Sequence, residues 1–204
     1  MISYKESLKI LKRTKALLEG HFVLSSGLHS DKYIQCAKLL SHPQQSRKIC
    51  SSLKAKISKA YKKIDIILSP AMGGIIVGYE ISRQLNVVSI FAERVGGKLI
   101  LRRGFSIPKK SRVLVVEDVI TTGKSALECL NIIKKNKAKI IAFACIINRS
   151  NKDFLKKIPI ISQVKFKIDT FKANELPNKL KKVKVKIPGS RNLSKWKKKD
   201  WALI

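Results

Sequence analysis

The 204-residue sequence predicts an α/β protein with a central parallel sheet flanked by helices, and three observations carry that prediction. Four short apolar runs, at residues 64–68, 87–91, 113–116 and 140–147, are nearly continuous rather than alternating, as strands covered on both faces require. Helix-like stretches over 75–85 and 124–136 follow the first and third runs, the order of βαβ units. Polar or glycine-rich segments come directly after the runs, and ligands in such sheets sit outside the carboxyl ends of the strands.

Taken in order, a first helix is expected within residues 3–18, where Leu8, Leu11, Leu17 and Leu18 recur at roughly helical spacing and Gly20 suits a C-cap. Two short strands, 22–25 and 32–36, flank a Ser-Ser-Gly-Leu-His-Ser turn. A helix opens at His42-Pro43, with Pro43 in its first turn, and runs to about residue 62. Beyond the four sheet runs, 160–168 reads as one more strand, and 182–187 alternates Lys with apolar residues like a guarded edge strand. A poorly ordered tail is expected from Gly189 onward.

Composition narrows the class. Hydrophobic residues at 45% and charged residues at 28% describe a globular chain with a real core, not a disordered one. The longest apolar stretch, 140–147, is far short of the ~18 residues of a membrane span. The N-terminus lacks the apolar segment of a signal peptide. Cys36, Cys50, Cys129 and Cys145 form no C-x-x-C pair, so they are expected as free thiols in a reducing, cytoplasmic setting. The net charge of +31 raises the question of nucleic acid. Yet 35 of the 44 basic residues are Lys, spread evenly, whereas specific nucleic-acid surfaces favour the Arg fork. The plain reading is a Lys-rich solvated surface that concentrates anionic ligands.

The chemistry gathers in Val113-Leu114-Val115-Val116-Glu117-Asp118-Val119-Ile120-Thr121-Thr122-Gly123-Lys124-Ser125. A buried strand ends in two carboxylates, and a hydroxyl-rich turn leads into a helix. Backbone N–H groups and hydroxyls at a helix N-terminus cradle a phosphate, and Gly123 lets the backbone approach it closely. Glu117 and Asp118 can accept hydrogen bonds from vicinal ribose hydroxyls, so the pattern points to a sugar phosphate. A Walker A loop ending at Gly123-Lys124-Ser125 would need Gly at position 118, which is Asp, and no G-x-G-x-x-G occurs. A mere strand–turn–helix cap is the bland alternative, but paired carboxylates at the end of a parallel strand do little for stability.

This segment resembles, position by position, the phosphoribosyl pyrophosphate (PRPP) motif of type I phosphoribosyltransferases. Gly20-His21-Phe22-Val23-Leu24-Ser25-Ser26-Gly27-Leu28-His29-Ser30, then Tyr33, is similar to the N-terminal signature of the orotate phosphoribosyltransferase family. Ser69-Pro70-Ala71-Met72-Gly73-Gly74-Ile75 resembles that family's pyrophosphate loop. Ala92-Glu93-Arg94-Val95-Gly96-Gly97-Lys98, with Leu101-Arg102-Arg103-Gly104-Phe105, resembles its mobile loop. Asn148-Arg149 falls at an orotate-binding Arg, and Pro188-Gly189-Ser190-Arg191 resembles the ending of one branch.

The resemblance implies a type I phosphoribosyltransferase fold over residues 1–191, with about 1–45 forming a small N-terminal hood over the base and 192–204 a Lys-rich extension. It implies transfer of ribose 5-phosphate from PRPP to orotate, giving orotidine 5′-monophosphate and pyrophosphate, a step of pyrimidine biosynthesis. Mg²⁺ would arrive with PRPP, with no dedicated protein ligands; His21, His29 and His42 show no ligand spacing. Glu117 and Asp118 would hold the 2′- and 3′-hydroxyls below the ribose cation. Val119, Ile120, Thr121, Thr122, Gly123, Lys124 and Ser125 would surround the 5′-phosphate, with Lys124 either adding charge or facing solvent. Ala71, Gly73 and Gly74 would meet pyrophosphate through backbone amides. Arg94 and Lys98 would bind PRPP, and Lys98, Arg102 and Arg103 would act on the leaving group. Thr121, Arg149, Ser25 and Ser26 would contact orotate. A homodimer with shared sites follows from the family's loop.

Two departures stand out. Val95 follows Arg94 where many relatives have an Arg-Lys pair, no His occurs in the loop, and Ser25 aligns with a Lys of many relatives. Two other readings remain open. A phosphoribosyltransferase for a purine base shares the PRPP motif, but the N-terminal turn and Arg149 speak against it. A PRPP-sensing nucleic-acid-binding regulator would suit the charge, but no helix-turn-helix or aromatic-rich basic patch is visible, and Glu117, Asp118 and the cationic loop are intact.

Overall fold

The computed structural model describes residues 1–24, 26–150 and 158–188. Ser25, the tail from Gly189 and the 192–204 extension lie outside the described residues. In chain order the elements are α1 (Tyr4–Arg13), β1 (Leu17–Val23), β2 (His29–Ile34), α2 (Cys36–Leu40), α3 (Pro43–Ala60), β3 (Ile66–Pro70), α4 (Gly73–Leu85), β4 (Val88–Val95), β5 (Lys98–Leu101), β6 (Arg112–Ile120), α5 (Lys124–Lys135), β7 (Lys139–Asn148), β8 (Ile160–Lys165), β9 (Thr170–Phe171), a 3-10 turn at Ala173–Glu175, α6 (Asn178–Lys181) and β10 (Val185–Lys186). They divide into two compact units, Met1–Ala16 with Cys36–Lys167, and Leu17–Gln35 with the chain from Ile168. The sequence segment read as a hood, 1–45, is thus shared: residues 17–35 belong to the second unit and the rest to the first.

The first unit is built on a six-stranded sheet in the order β5-β4-β3-β6-β7-β8, parallel except for the β4–β5 pair. The apolar runs lack alternation because helices cover both faces. Ile66, Leu68, Val113, Val115, Phe143 and Cys145 join Ala126, Cys129, Leu130 and Ile133 of α5 in one buried cluster. The intervening Ile67, Leu114, Ala144 and Ile146 are equally buried on the opposite face, where α1, α3 and α4 pack. Each such aliphatic side chain contributes about 1.5–3 kcal/mol by leaving water. Pro43 occupies the first turn of α3, whose Ile49, Leu53 and Ile57 form its buried stripe. Lys56 of α3 donates to the carbonyls of Ser162 and Gln163 at 2.9 and 3.0 Å.

The second unit is a four-stranded sheet, β10-β1-β2-β9. The β1–β2 hairpin is antiparallel with an irregularity between Glu19 and Phe22, and β10 pairs with β1 in parallel. His21 and His29 lie 2.7 Å apart, Nε2 to Nδ1, and His21 Nδ1 meets the Val183 carbonyl at 3.2 Å.

Several boundaries differ from the sequence reading. The first helix stops at Arg13, because Thr14 turns its hydroxyl onto the Ile10 carbonyl and Lys15 takes a left-handed φ of 56°. Leu17, Leu18 and Gly20 therefore lie in β1, not in a helix and its cap. α2 had no sequence signal of its own. Residues 95–98, read as a loop, close a two-residue hairpin: Gly96 and Gly97 have φ of 54° and 80°, the geometry a tight primed turn needs. β6 continues past its apolar run to Ile120, because pairing with β7 extends to Ile120 opposite Asn148.

Candidate active site

Three neighbouring parallel strands, β3, β6 and β7, deliver the chemistry at their carboxyl ends. β3 runs into the turn of Ala71 and Met72 and then α4, which opens on Gly73 and Gly74. β6 carries Glu117, Asp118, Val119 and Ile120 and leads through Thr121, Thr122 and Gly123 into α5. β7 ends before Arg149, whose backbone N–H donates to the Ile120 carbonyl at 2.8 Å.

The glycine pair lets α4 begin against the end of β6. A β-carbon on Gly73 would stand 2.7 Å from Asp118 Oδ1, and one on Gly74 would stand 3.0 Å from the Val116 carbonyl oxygen. Any side chain at 73 would push the Asp118 carboxylate aside. Gly123 caps α5 with φ 75°, a left-handed conformation that lets the turn double back with Thr121, Thr122 and Lys124 exposed and Ser125 partly covered. Lys124 therefore has free access to solvent.

Burial sets the electrostatics. It raises the Glu117 carboxyl to about 8, with the neighbouring Asp118 charge adding to the effect; a Ser125 hydrogen bond and Arg94 oppose it. Burial also raises Asp118, against hydrogen bonds from the backbone N–H groups of Val119 and of Asp118 itself. The pair is a concentrated negative site that retains a proton near neutrality. Burial lowers the pKa of Arg149, and its Nε is a buried donor with no partner among the described residues. Such an orphaned donor suits an acceptor brought by a ligand.

The remaining cations lie along the β4–β5 hairpin and the turn after it. Glu93 accepts from Arg103 Nε at 2.6 Å and from Arg102 Nη1 at 3.4 Å. The Arg103 guanidinium also stacks 5.8 Å from the Phe91 ring centroid. Arg94 is paired with Glu128 of α5 at 2.9 Å. Lys98 is exposed and has no ion pair among the described residues. Ser26 lies on the β1–β2 turn of the second unit, and its neighbour Ser25 is outside the described residues. No group of three or more His, Cys, Asp or Glu side chains suited to a metal occurs among the described residues.

Sequence reasoning gave no role to Glu93 or Glu128. Glu93 gains its partners only because the 92–101 segment folds as a hairpin, and Glu128 meets Arg94 across 34 residues, a separation no local periodicity encodes.

A sheet whose central strand ends hold paired carboxylates, a phosphate-type turn and a glycine-opened helix defines a phosphoribosyltransferase, and the model of the phosphoribosyl transferase domain family matches residues 37–177. The orotate phosphoribosyltransferase of Phenylobacterium zucineum is 42% identical over 178 residues, covering 87% of this chain and 92% of that protein. That of Caldicellulosiruptor bescii is 44% identical over 184 residues, covering 90% and 96%. The crystal structure of orotate phosphoribosyltransferase from Aeropyrum pernix superposes with a TM-score of 0.68 at 23% identity, over 78% of this chain and 92% of that one, which shows the shared fold. The chain belongs to the phosphoribosyltransferase family and, within it, to the orotate phosphoribosyltransferases.

Proposed function

We propose that this chain transfers ribose 5-phosphate from PRPP to N1 of orotate, breaking the C1–O bond to pyrophosphate, forming the C1–N1 bond and releasing the N1 proton. The observation that carries this reading is the packing of Gly73 directly against Asp118, which sets a pyrophosphate-type loop beside the ribose carboxylates. Glu117 and Asp118 hold the ribose hydroxyls and place negative charge where the ribose becomes cationic. Val119 through Ser125 wrap the 5′-phosphate, with N–H groups at the start of α5 as donors. Ala71, Gly73 and Gly74 offer backbone amides to pyrophosphate. Lys98, Arg102 and Arg103 neutralise it as it leaves.

Arg149, with its unpartnered buried Nε, takes the anionic edge of orotate. A purine lacks that carboxylate, which favours orotate over a purine base. Thr121 completes the contacts to the pyrimidine. A Mg²⁺ ion would be held chiefly by the phosphates of PRPP, whose charge it would offset.

The working form is a homodimer. Met72, just before α4, and Ile76 and Tyr79 on it are 83%, 54% and 61% exposed, an apolar stripe that a second copy would cover. The four cysteines are buried and unpaired, which suits the reducing cytoplasm. No helix among the described residues is long and apolar enough to cross a membrane. Incubation with PRPP, Mg²⁺ and a panel of bases tests the reading: orotate is consumed with release of pyrophosphate. Turnover of adenine or hypoxanthine with orotate inert overturns it.

A further inference from the structure

β7 is clasped at its last residue. Asn148 stands in register between Ile120 of β6 and Lys165 of β8, and it is only 4% exposed. Its backbone carbonyl accepts from the Phe166 N–H at 3.2 Å, and the N–H of the next residue, Arg149, donates to the Ile120 carbonyl at 2.8 Å. The Asn148 side-chain oxygen Oδ1 then accepts twice from Ser150, from its backbone N–H at 2.9 Å and from its hydroxyl at 2.7 Å. The chain is thus pinned immediately before Arg149, at Arg149 itself and immediately after it.

Arg149 needs that constraint. Its Nε is a buried donor with no partner among the described residues, so the direction in which the side chain leaves the backbone has to come from the main chain. An Asn oxygen bonded to the N–H two residues on mimics a backbone turn and limits φ and ψ of the residue between, here Arg149. Misplacing a binding group by about 1 Å can cost on the order of 10²-fold, so such a limit matters most beside a group that meets ligand. An aliphatic side chain would fill the same buried position with no amide to satisfy. The two bonds to Ser150 therefore point to placement of the turn rather than to packing.

We propose that Asn148 is a positioning residue for base recognition: by closing its side-chain oxygen over Ser150 it fixes the backbone on both sides of Arg149 and aims the guanidinium at the carboxylate of the base. The inference rests on the reading that Arg149 takes the anionic edge of orotate. Without the clasp, Arg149 must be ordered as each ligand binds, and affinity for a carboxylate-bearing base falls by that cost. A base without the carboxylate makes no such demand and loses little.

The test is a comparison of two nucleotides that differ only in that carboxylate, orotidine 5′-monophosphate and uridine 5′-monophosphate. Each is titrated by calorimetry into full-length wild type, Asn148→Leu and Asn148→Asp. Wild type binds the orotidine nucleotide more tightly. Asn148→Leu weakens the orotidine nucleotide by about tenfold and leaves the uridine nucleotide within about twofold of wild type. Asn148→Asp keeps an oxygen that accepts both Ser150 hydrogen bonds, and it holds the wild-type preference to within about threefold. An unchanged preference in Asn148→Leu overturns the proposal. So does an equal loss for both nucleotides, which marks a general disturbance of the site, and so does an Asn148→Asp variant as impaired as Asn148→Leu. Where Asn148→Leu does not fold, Ser150→Ala decides: it removes the hydroxyl donor alone and lowers the preference by about threefold, and a preference equal to wild type rejects the clasp. A wild type that binds the two nucleotides equally tightly overturns the reading of Arg149, and the proposal with it.

Discussion

At the end of β6 two carboxylates stand largely buried, pressed against a glycine-opened helix, with burial holding Glu117 at about 8. Along the β4–β5 hairpin and the turn after it, Arg94, Lys98, Arg102 and Arg103 lie exposed, three of them parked on Glu93 and Glu128. The first region is set before any ligand arrives: packing fixes its geometry, and burial disfavours the ionised form of both carboxyls. The second is solvated and salt-screened, so its cations gain strength only when water is excluded around them. The paired carboxylates are therefore built into the end of a buried sheet strand, and the cations are carried on an exposed hairpin and the turn after it.

Asp118→Asn is the severest way to break that contrast. It keeps the shape but removes charge facing the ribose, and should lower kcat by about 10²-fold or more in steady-state assays. Near-normal kcat in a folded variant would remove Asp118 from the mechanism.

Gly73→Ala sharpens the same region without replacing a charged residue. The added methyl group displaces the Asp118 carboxylate instead of backbone, so kcat should fall about tenfold or more while thermal unfolding shifts by no more than a few degrees. A large loss of stability with normal kcat would show that the close approach serves the fold alone.

On the hairpin side, Ala at Lys98, Arg102 or Arg103 should lower kcat by about tenfold and change KM for orotate little. If the hairpin serves the partner's site, Asp118→Asn chains mixed with chains altered at Lys98 should recover activity, since about half of randomly mixed dimers are hybrid and each hybrid holds one intact site. The test needs confirmed subunit exchange. No recovery would confine the hairpin to its own subunit or remove Lys98 as the working cation.

The smallest effect is a pH dependence. Glu117 is raised from 4.5 to about 8 in the folded chain, so the native state binds more protons between those values and stability falls as pH rises through that window. Glu117→Gln should remove this cost and raise stability at pH 8 by about 1 kcal/mol or more, measured by denaturant unfolding. In wild type, kcat/KM for PRPP should rise toward pH 8 as the carboxylate forms, and the variant should lose that rise. A pH-independent difference between the two would mean that the pair is not strained by burial.

The strands β3, β6 and β7 and the turns that follow them were legible in the chain, because their signals are local. A buried parallel strand must be apolar without a break, and a phosphate-type turn must offer glycine and hydroxyls at fixed offsets. The candidate residues Glu117, Asp118, Thr121, Gly123, Gly73 and Arg149 follow from those offsets and from the family resemblance they carry.

What the sequence did not determine lies where partners are distant along the chain. Leu17 and Leu18 fit a helical spacing equally well, and only pairing of β1 with β2 makes them strand residues. Glycine at 96 and 97 permits a loop or a hairpin, and the Val95–Lys98 closure decides for the hairpin. The approach of Gly73 to Asp118, the raised Glu117 and the grip of Glu128 on Arg94 exist only once the sheet order is set. Spacing along the chain dictates which groups a turn can present; burial and contact between segments, which dictate how strongly those groups are charged and where they are held, belong to the tertiary structure.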